Sequence, residues 1–227
     1  MKKYIVILFG FMIVGFGCAL TIKANVGMGA WDAFAKSFSD IIGIEVGTAG
    51  IIFNCMCVIG QLILLRKNFT FQHLLQVPFC MVLGVIVNFA ASTVFTFEVT
   101  SIWQGILLYL LANMICALET SSLLGGIVLY LIANTICALG VSMVMLVNKV
   151  TMALEGFCMV LSRIFPIEFH KVRQLADIIS IAGVILLTIV FPIPLSLGIG
   201  TVLGMLIFGP TLGIFMKLLH PIFLKLN

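Results

Sequence analysis

The sequence predicts an all-α membrane protein: six transmembrane helices in two three-helix inverted repeats, each with one amphipathic re-entrant or interfacial helix, plus one extra hydrophobic segment. That segment would add a seventh span if it crosses. Three observations carry the prediction: an apolar composition, a duplication at a fixed offset, and the placement of the basic residues. Hydrophobic residues make up 63% of the 227 and charged residues 9%, with a mean hydropathy of +1.31. This leaves too little polar surface to coat a soluble globule. A helix needs about 20 apolar residues to cross roughly 30 Å of hydrocarbon, so the chain has room for about six or seven spans and none for a soluble domain. The formal charge of +4 arises from basic residues set singly or in pairs between apolar runs. They form no stripe for nucleic acid and read instead as topology signals.

The duplication is centred on 25–50, which lies without gaps on 148–173 at an offset of 123 residues. It pairs Asn25 with Asn148, Ala30 with Ala153, Phe34 with Phe157, Ser39 with Ser162, Ile44 with Ile167 and Glu45 with Glu168. Asp32 falls on Glu155, which keeps the charge. The same offset pairs Gly17 with Gly140, Asn54 with Asp177, and Gly60 with Gly183.

In chain order, the first repeat occupies 1–100. Its first span, 4–22, follows Lys2 and Lys3 and holds Gly10, Gly15 and Gly17, small residues that let membrane helices approach closely. The start resembles a secretory signal, but its counterpart in the second half is a span, so it is read as a retained helix. In 27–43, Met28, Trp31, Phe34, Phe38, Ile41 and Ile42 recur at helical spacing while Asp32, Lys36 and Asp40 share another face. That is an amphipathic helix too polar to span, with Asp32 to Lys36 and Lys36 to Asp40 both spaced for i,i+4 pairing. Span two covers 46–65, closed by Arg66 and Lys67. Span three covers 71–94, with a kink expected near Pro78 because a proline leaves a helix carbonyl unbonded.

GILLYLLANMICAL at 105–118 returns as GIVLYLIANTICAL at 126–139, with eleven of fourteen positions identical. This is a local tandem duplication, so 101–122 is the extra piece and Asn113 and Asn134 are copies of one another. The second repeat, 123–227, has spans at 124–147, 172–191 and 198–219 and an amphipathic helix at 151–165. Leu154, Phe157, Leu161 and Ile164 form the stripe of that helix, Glu155 lies beside it and Pro166 stops it. Arg173 and Asp177 sit at i,i+4 at the head of the next span. Gly200 with Gly204 and Gly209 with Gly213 give the last span two small faces for packing.

If the extra segment does not cross, removing Lys23 and Lys36 from the twelve Lys and Arg residues leaves ten on the side of the N-terminus. The positive-inside rule favours that arrangement, with both termini cytoplasmic in a bacterial inner membrane. Three spans per half then make the halves inverted repeats.

Gly27, Gly29, Trp31 and Asp32 in GMGAWD, Val46 to Gly50 in VGTAG, Arg173 with Asp177, and GIGTVLGMLIFGP at 198–210 resemble the YczE/YitT-like family of bacterial integral membrane proteins. The likeness covers most of the chain, although Ala30 stands where that family has proline. It implies a duplicated inner-membrane bundle and supplies no substrate.

Asp32 and Glu155 are the leading candidates for a substrate or ion site. A carboxylate at membrane depth costs about 2.5 to 3.5 kcal/mol on insertion scales, so it is usually retained for a proton, ion or substrate path. The competing reading puts both amphipathic helices at the interface, with their acids in water. Trp31 is either a site residue or an aromatic anchor, Arg173 and Asp177 a structural ion pair or an anion contact, Asn54 and Asn88 bonds between helices, and Thr201 a ligand contact or a packing corner. The seven cysteines lie in apolar runs and read as small hydrophobes. His73, His170 and His220 lack metal-site spacing, and no nucleophile elbow or phosphate loop is present, so neither metal, cofactor nor enzymatic activity is expected. The expected function is a transporter or permease-like protein for a small molecule or ion in the lipid bilayer. The alternatives are a non-transporting regulator or scaffold with a protein partner or a second copy of itself, and a substrate-binding subunit of a larger transporter. Nucleic acid is not an expected partner.

Overall fold

A computed structural model describes residues 2–94, 123–147 and 149–224. All regular structure among them is helical. The helices are α1 (Lys2–Ala24), α2 (Ala30–Ile42), α3 (Val46–Leu65), α4 (Phe71–Leu74), α5 (Gln76–Phe89), α6 (Leu123–Val147), α7 (Ala153–Ile164), α8 (Phe169–Val190) and α9 (Ile199–Leu224). Six stretches are long and apolar enough to cross a bilayer: Lys3–Ala24, Val46–Asn68, Phe71–Ser92, Leu123–Val147, Phe169–Val190 and Ile199–Phe223. The extra segment 101–122, with Trp103, Asn113 and Cys116, lies outside the described residues. α2 and α7 are the two short amphipathic helices.

The bundle is organised on α1 and α6. Gly10 lies against Val144 and Gly140, Gly17 against Cys137 and Ala133, and Ala24 and Val26 against Gly126, so the two helices run antiparallel. A Cβ at Gly10 would come within 2.7 Å of Val144 Cγ2. Lipid tails are as apolar as leucine, so membrane helices associate through such fit rather than through exclusion of water. Ile7, Phe11 and Val14 of α1 meet Val141, Val144 and Val147 of α6 in the main core, which extends to Leu154 and Cys158 of α7.

α3 and α5 cross closely in the N-terminal half. A Cβ on Gly47 would lie 2.1 Å from the carbonyl oxygen of Gly84, so the backbones touch there. Asn88 ties the crossing: its Oδ1 accepts the Gly47 N–H at 2.6 Å and its Nδ2 donates to Thr48 Oγ1 at 3.0 Å. The interruption expected near Pro78 falls at Leu75, which separates α4 from α5. A proline ring clashes with the carbonyl four residues earlier, here Leu74, so the helix breaks upstream of the proline itself.

Equivalent positions of the two halves make equivalent contacts. The Phe34 ring covers Gly183, and the Phe157 ring covers Gly60. Ser39 Oγ donates to the Ile44 carbonyl at 2.6 Å, and Ser162 Oγ to the Ile167 carbonyl at 2.8 Å. α2 packs on α8 of the opposite half, and α7 packs on α3. Each pair of contacts joins positions 123 residues apart in the sequence.

The small faces of α9 are used unequally. Gly200 and Gly204 receive the Tyr130 ring, whereas a Cβ on Gly209 or Gly213 would meet nothing within 4 Å. The second face is therefore open among the described residues. At the other end of the bundle, two amides without a signal in the sequence join three helices. Gln61 and Gln76 are 0% and 2% exposed. They exchange hydrogen bonds of 2.9 and 3.3 Å, while Gln61 also donates to the Ala153 carbonyl at 3.1 Å and Gln76 to Thr151 Oγ1 at 3.1 Å. Removing one partner leaves the other buried and unsatisfied. Gln61→Leu is expected to lower stability by about 1–3 kcal/mol, and Gln61→Leu with Gln76→Leu to recover part of it, as read by unfolding in detergent.

Candidate functional site

α2 is built around Phe53 of α3. Trp31, Phe34 and Phe38 place their rings edge-on to it, with centroids 5.6, 5.0 and 5.3 Å away. Gly43 ends the helix in the left-handed region at φ +76, its N–H donating to Ser39 O. With that apolar stripe fixed, the charged face divides. Lys36 Nζ reaches Asp40 at 2.5 and 2.7 Å, so only the second of the two i,i+4 pairs forms.

Asp32 turns into the protein instead. Its Oδ2 lies 3.8 Å from the Cys18 thiol of α1, which donates to it. Burial is the largest influence on its carboxyl and pushes it up from 3.8 to about 6, Arg173 opposing this and the negative charge of Glu155 adding to it. The Cys18 thiol also pulls it down, and Asp177 pushes it up. A negative charge on α7 therefore acts on the acid of α2.

Glu155 is the third residue of α7, as Asp32 is of α2. Its Oε1 is 3.6 Å from Arg173 Nε, and Arg173 Nη1 donates to Asp177 Oδ1. The three side chains are 15%, 26% and 18% exposed in the order Glu155, Arg173, Asp177. The expected Arg173–Asp177 pair is thus a triad, in which one guanidinium holds two carboxylates. The i,i+4 spacing was legible; the third member comes from another helix.

Beside Asp32 is a small, open-mouthed cavity of about 50 Å³. Trp31 and Asp32 of α2, Gly50 and Asn54 of α3 and Cys18 of α1 line it, with Met28, Leu83 and Val87 among its apolar walls. The indole N–H of Trp31 is buried and has no acceptor among the described residues. Asn88 bonds between helices as expected, whereas Asn54 makes no such bond there and faces the cavity.

The candidate residues therefore separate into three places. Asp32, Trp31 and Asn54 share the cavity; Glu155, Arg173 and Asp177 form the triad; Thr201 lies elsewhere. Thr201 is 3% exposed at the crossing of the α1–α2 turn with α9, where its hydroxyl accepts the Gly198 N–H at 3.2 Å. Gly27 has φ +100 there, and a Cβ on it would fall 2.5 Å from Gly198 N. Cys18 and Gly50 were not among the candidates: a thiol in an apolar run and a glycine in a small-residue run carry no mark of a cavity wall. The six described cysteines are free, and no group of three metal-ligating side chains occurs among the described residues.

Residues 1–217 match the profile of a family of unknown function, DUF6198. The chain belongs to that family. No curated protein and no solved structure matches the chain. Membership extends over both halves and so includes the cavity and the triad.

Removing the shared guanidinium would leave two part-buried carboxylates facing each other. Arg173→Met is expected to cost roughly 3 kcal/mol of stability. The same change combined with Glu155→Gln and Asp177→Asn should restore most of it, measured by denaturant or thermal unfolding in detergent.

Proposed function

We propose that the protein is a secondary transporter for a small cationic solute, which binds at Asp32, with Glu155, Arg173 and Asp177 as the frame or gate. The observation that carries this reading is a charge imbalance. Three carboxylates, Asp32, Glu155 and Asp177, act on one guanidinium, and Arg173 is engaged by the two of its own half. Among the described residues Asp32 has only a thiol donor, and it faces an open cavity. A part-buried carboxylate without a cation takes up a proton or a positively charged ligand.

The two outcomes compete, which gives a transporter its coupling. A carboxyl titrating at about 6 holds a proton on an acidic side of a membrane and releases it on a more alkaline one, where a cation replaces it. Paired short helices around a central site are the arrangement by which inverted-repeat transporters expose one site to two sides in turn. Lys3, Arg66, Lys67, Lys149 and Arg163 gather at one end of the bundle with Lys23 at the other, which supports cytoplasmic termini under the positive-inside rule. The resemblance to YczE/YitT-like proteins fits the same architecture.

Reconstituted protein is expected to carry a small cation into liposomes against a proton gradient, and Asp32→Asn to abolish uptake. No uptake over a broad cation panel, together with a stoichiometric partner on purification, would replace this reading with a membrane scaffold.

A pH dependence follows. The groups facing Asp32 are Cys18 of α1, Tyr130 of α6, Glu155 of α7, and Arg173 and Asp177 of α8. Its folded-state pKa exceeds the ordinary value, so the folded protein binds the proton more tightly and this stabilisation is lost as pH rises from about 4 through about 6. Asp32→Asn should remove that part of the stability slope, read as the difference between variant and parent. Cation affinity changes in the opposite sense, falling about tenfold per unit below pH 6 as the proton competes.

A further inference from the structure

The triad of the second repeat has counterparts in the first. At the offset of 123 residues, Glu155 corresponds to Asp32, Arg173 to Gly50 and Asp177 to Asn54. All three counterparts line the cavity. Where the second repeat has an arginine side chain between two acids, the first has empty space between an acid and an amide. Gly50 is not required for close packing, because a Cβ built on it would meet nothing within 4 Å. The surroundings correspond as well, since Phe34 on Gly183 answers Phe157 on Gly60.

We propose that this cavity binds a guanidinium- or amidinium-class cation, whose head group stands beside Asp32 and Asn54 as the Arg173 guanidinium stands beside Glu155 and Asp177. The proposal rests on the reading of Asp32 as a cation site and names its ligand class. A planar fork of N–H donors matches a carboxylate in a way a spherical ion does not. Guanidinium is also more weakly hydrated than an ammonium, so it loses less on entering a cavity walled by Met28, Leu83 and Val87. The Trp31 ring supplies an aromatic surface on which such a plane can stack. Replacing the second carboxylate by the Asn54 amide weakens the hold, which suits a ligand that must leave, whereas Arg173 is fixed by two charges.

The test uses the full chain in lipid nanodiscs at about pH 8, above the Asp32 titration. Methylguanidinium, tetramethylammonium and sodium are titrated by calorimetry, with the unfolding midpoint followed in parallel. Saturable methylguanidinium binding is expected, at least about tenfold tighter than either comparator and lost in Asp32→Asn. In Gly50→Arg the new side chain occupies the site, so binding disappears and the midpoint without ligand rises. Asn54→Asp restores the second carboxylate and should tighten binding about tenfold. Absence of saturable binding, equal affinity for tetramethylammonium, or unchanged affinity in Gly50→Arg overturns the proposal. Should Gly50→Arg not fold, Asn54→Asp decides, and unchanged or weaker affinity overturns it. Uptake of another cation without methylguanidinium binding also overturns it and leaves the transporter reading intact; binding without uptake supports it and removes the transporter reading.

Discussion

A carboxylate carried into a membrane bundle needs a positive charge or a proton beside it, and the polar interior of this protein follows from that constraint. Two short helices, α2 and α7, each present an acid at their third residue. The second acid has Arg173, which Asp177 also holds. Among the described residues the first has no cation in contact, and burial pushes its carboxyl up to about 6. One of these two acids thus lies against an arginine side chain and the other beside a cavity.

Packing makes the asymmetry durable. α1 and α6 meet along Gly10, Gly17, Gly126 and Gly140, and α3 meets α5 at Gly47 and Gly84, with separations that a single methyl group would disrupt. Such contacts hold helices rigidly in the absence of a hydrophobic drive. The short helices are wedged between opposite halves, α2 on α8 and α7 on α3, by Phe34 and Phe157 over matching glycines. The Gln61–Gln76 amides anchor the start of α7 at the opposite end of the bundle from the α1–α2 turn.

Much of this was legible because it is periodic or repeated. The apolar stripes fixed α2 and α7 to within a few residues, and the offset that pairs Phe34 with Phe157 anticipated contacts that both rings make. What was not legible depends on three-dimensional choice. Lys36 had two acids in reach along its helix, and the packing of the Trp31 ring on Phe53 turned Asp32 away from it. Pro78 marked a kink, yet the clash it causes lies a turn earlier. Gly200 and Gly209 head identical patterns, and the neighbouring Gly27 carbonyl and Tyr130 ring distinguish them. Gln61 and Gln76 sit in apolar runs fifteen residues apart, with nothing to reveal that each is the partner of the other.

By itself the sequence determined that the protein is a helical membrane protein, where its amphipathic helices lie, and that Asp32 and Glu155 are equivalent. Those properties depend on composition and on order along the chain, which burial in lipid and helical periodicity convert directly into structure. Only the tertiary structure decided that Glu155 is joined to Arg173 while Asp32 is not, and that Gly50 and Asn54 open a cavity beside it. The reason is physical: an ion pair or a void is a relation between side chains on different helices, and distance along the chain does not encode distance in space.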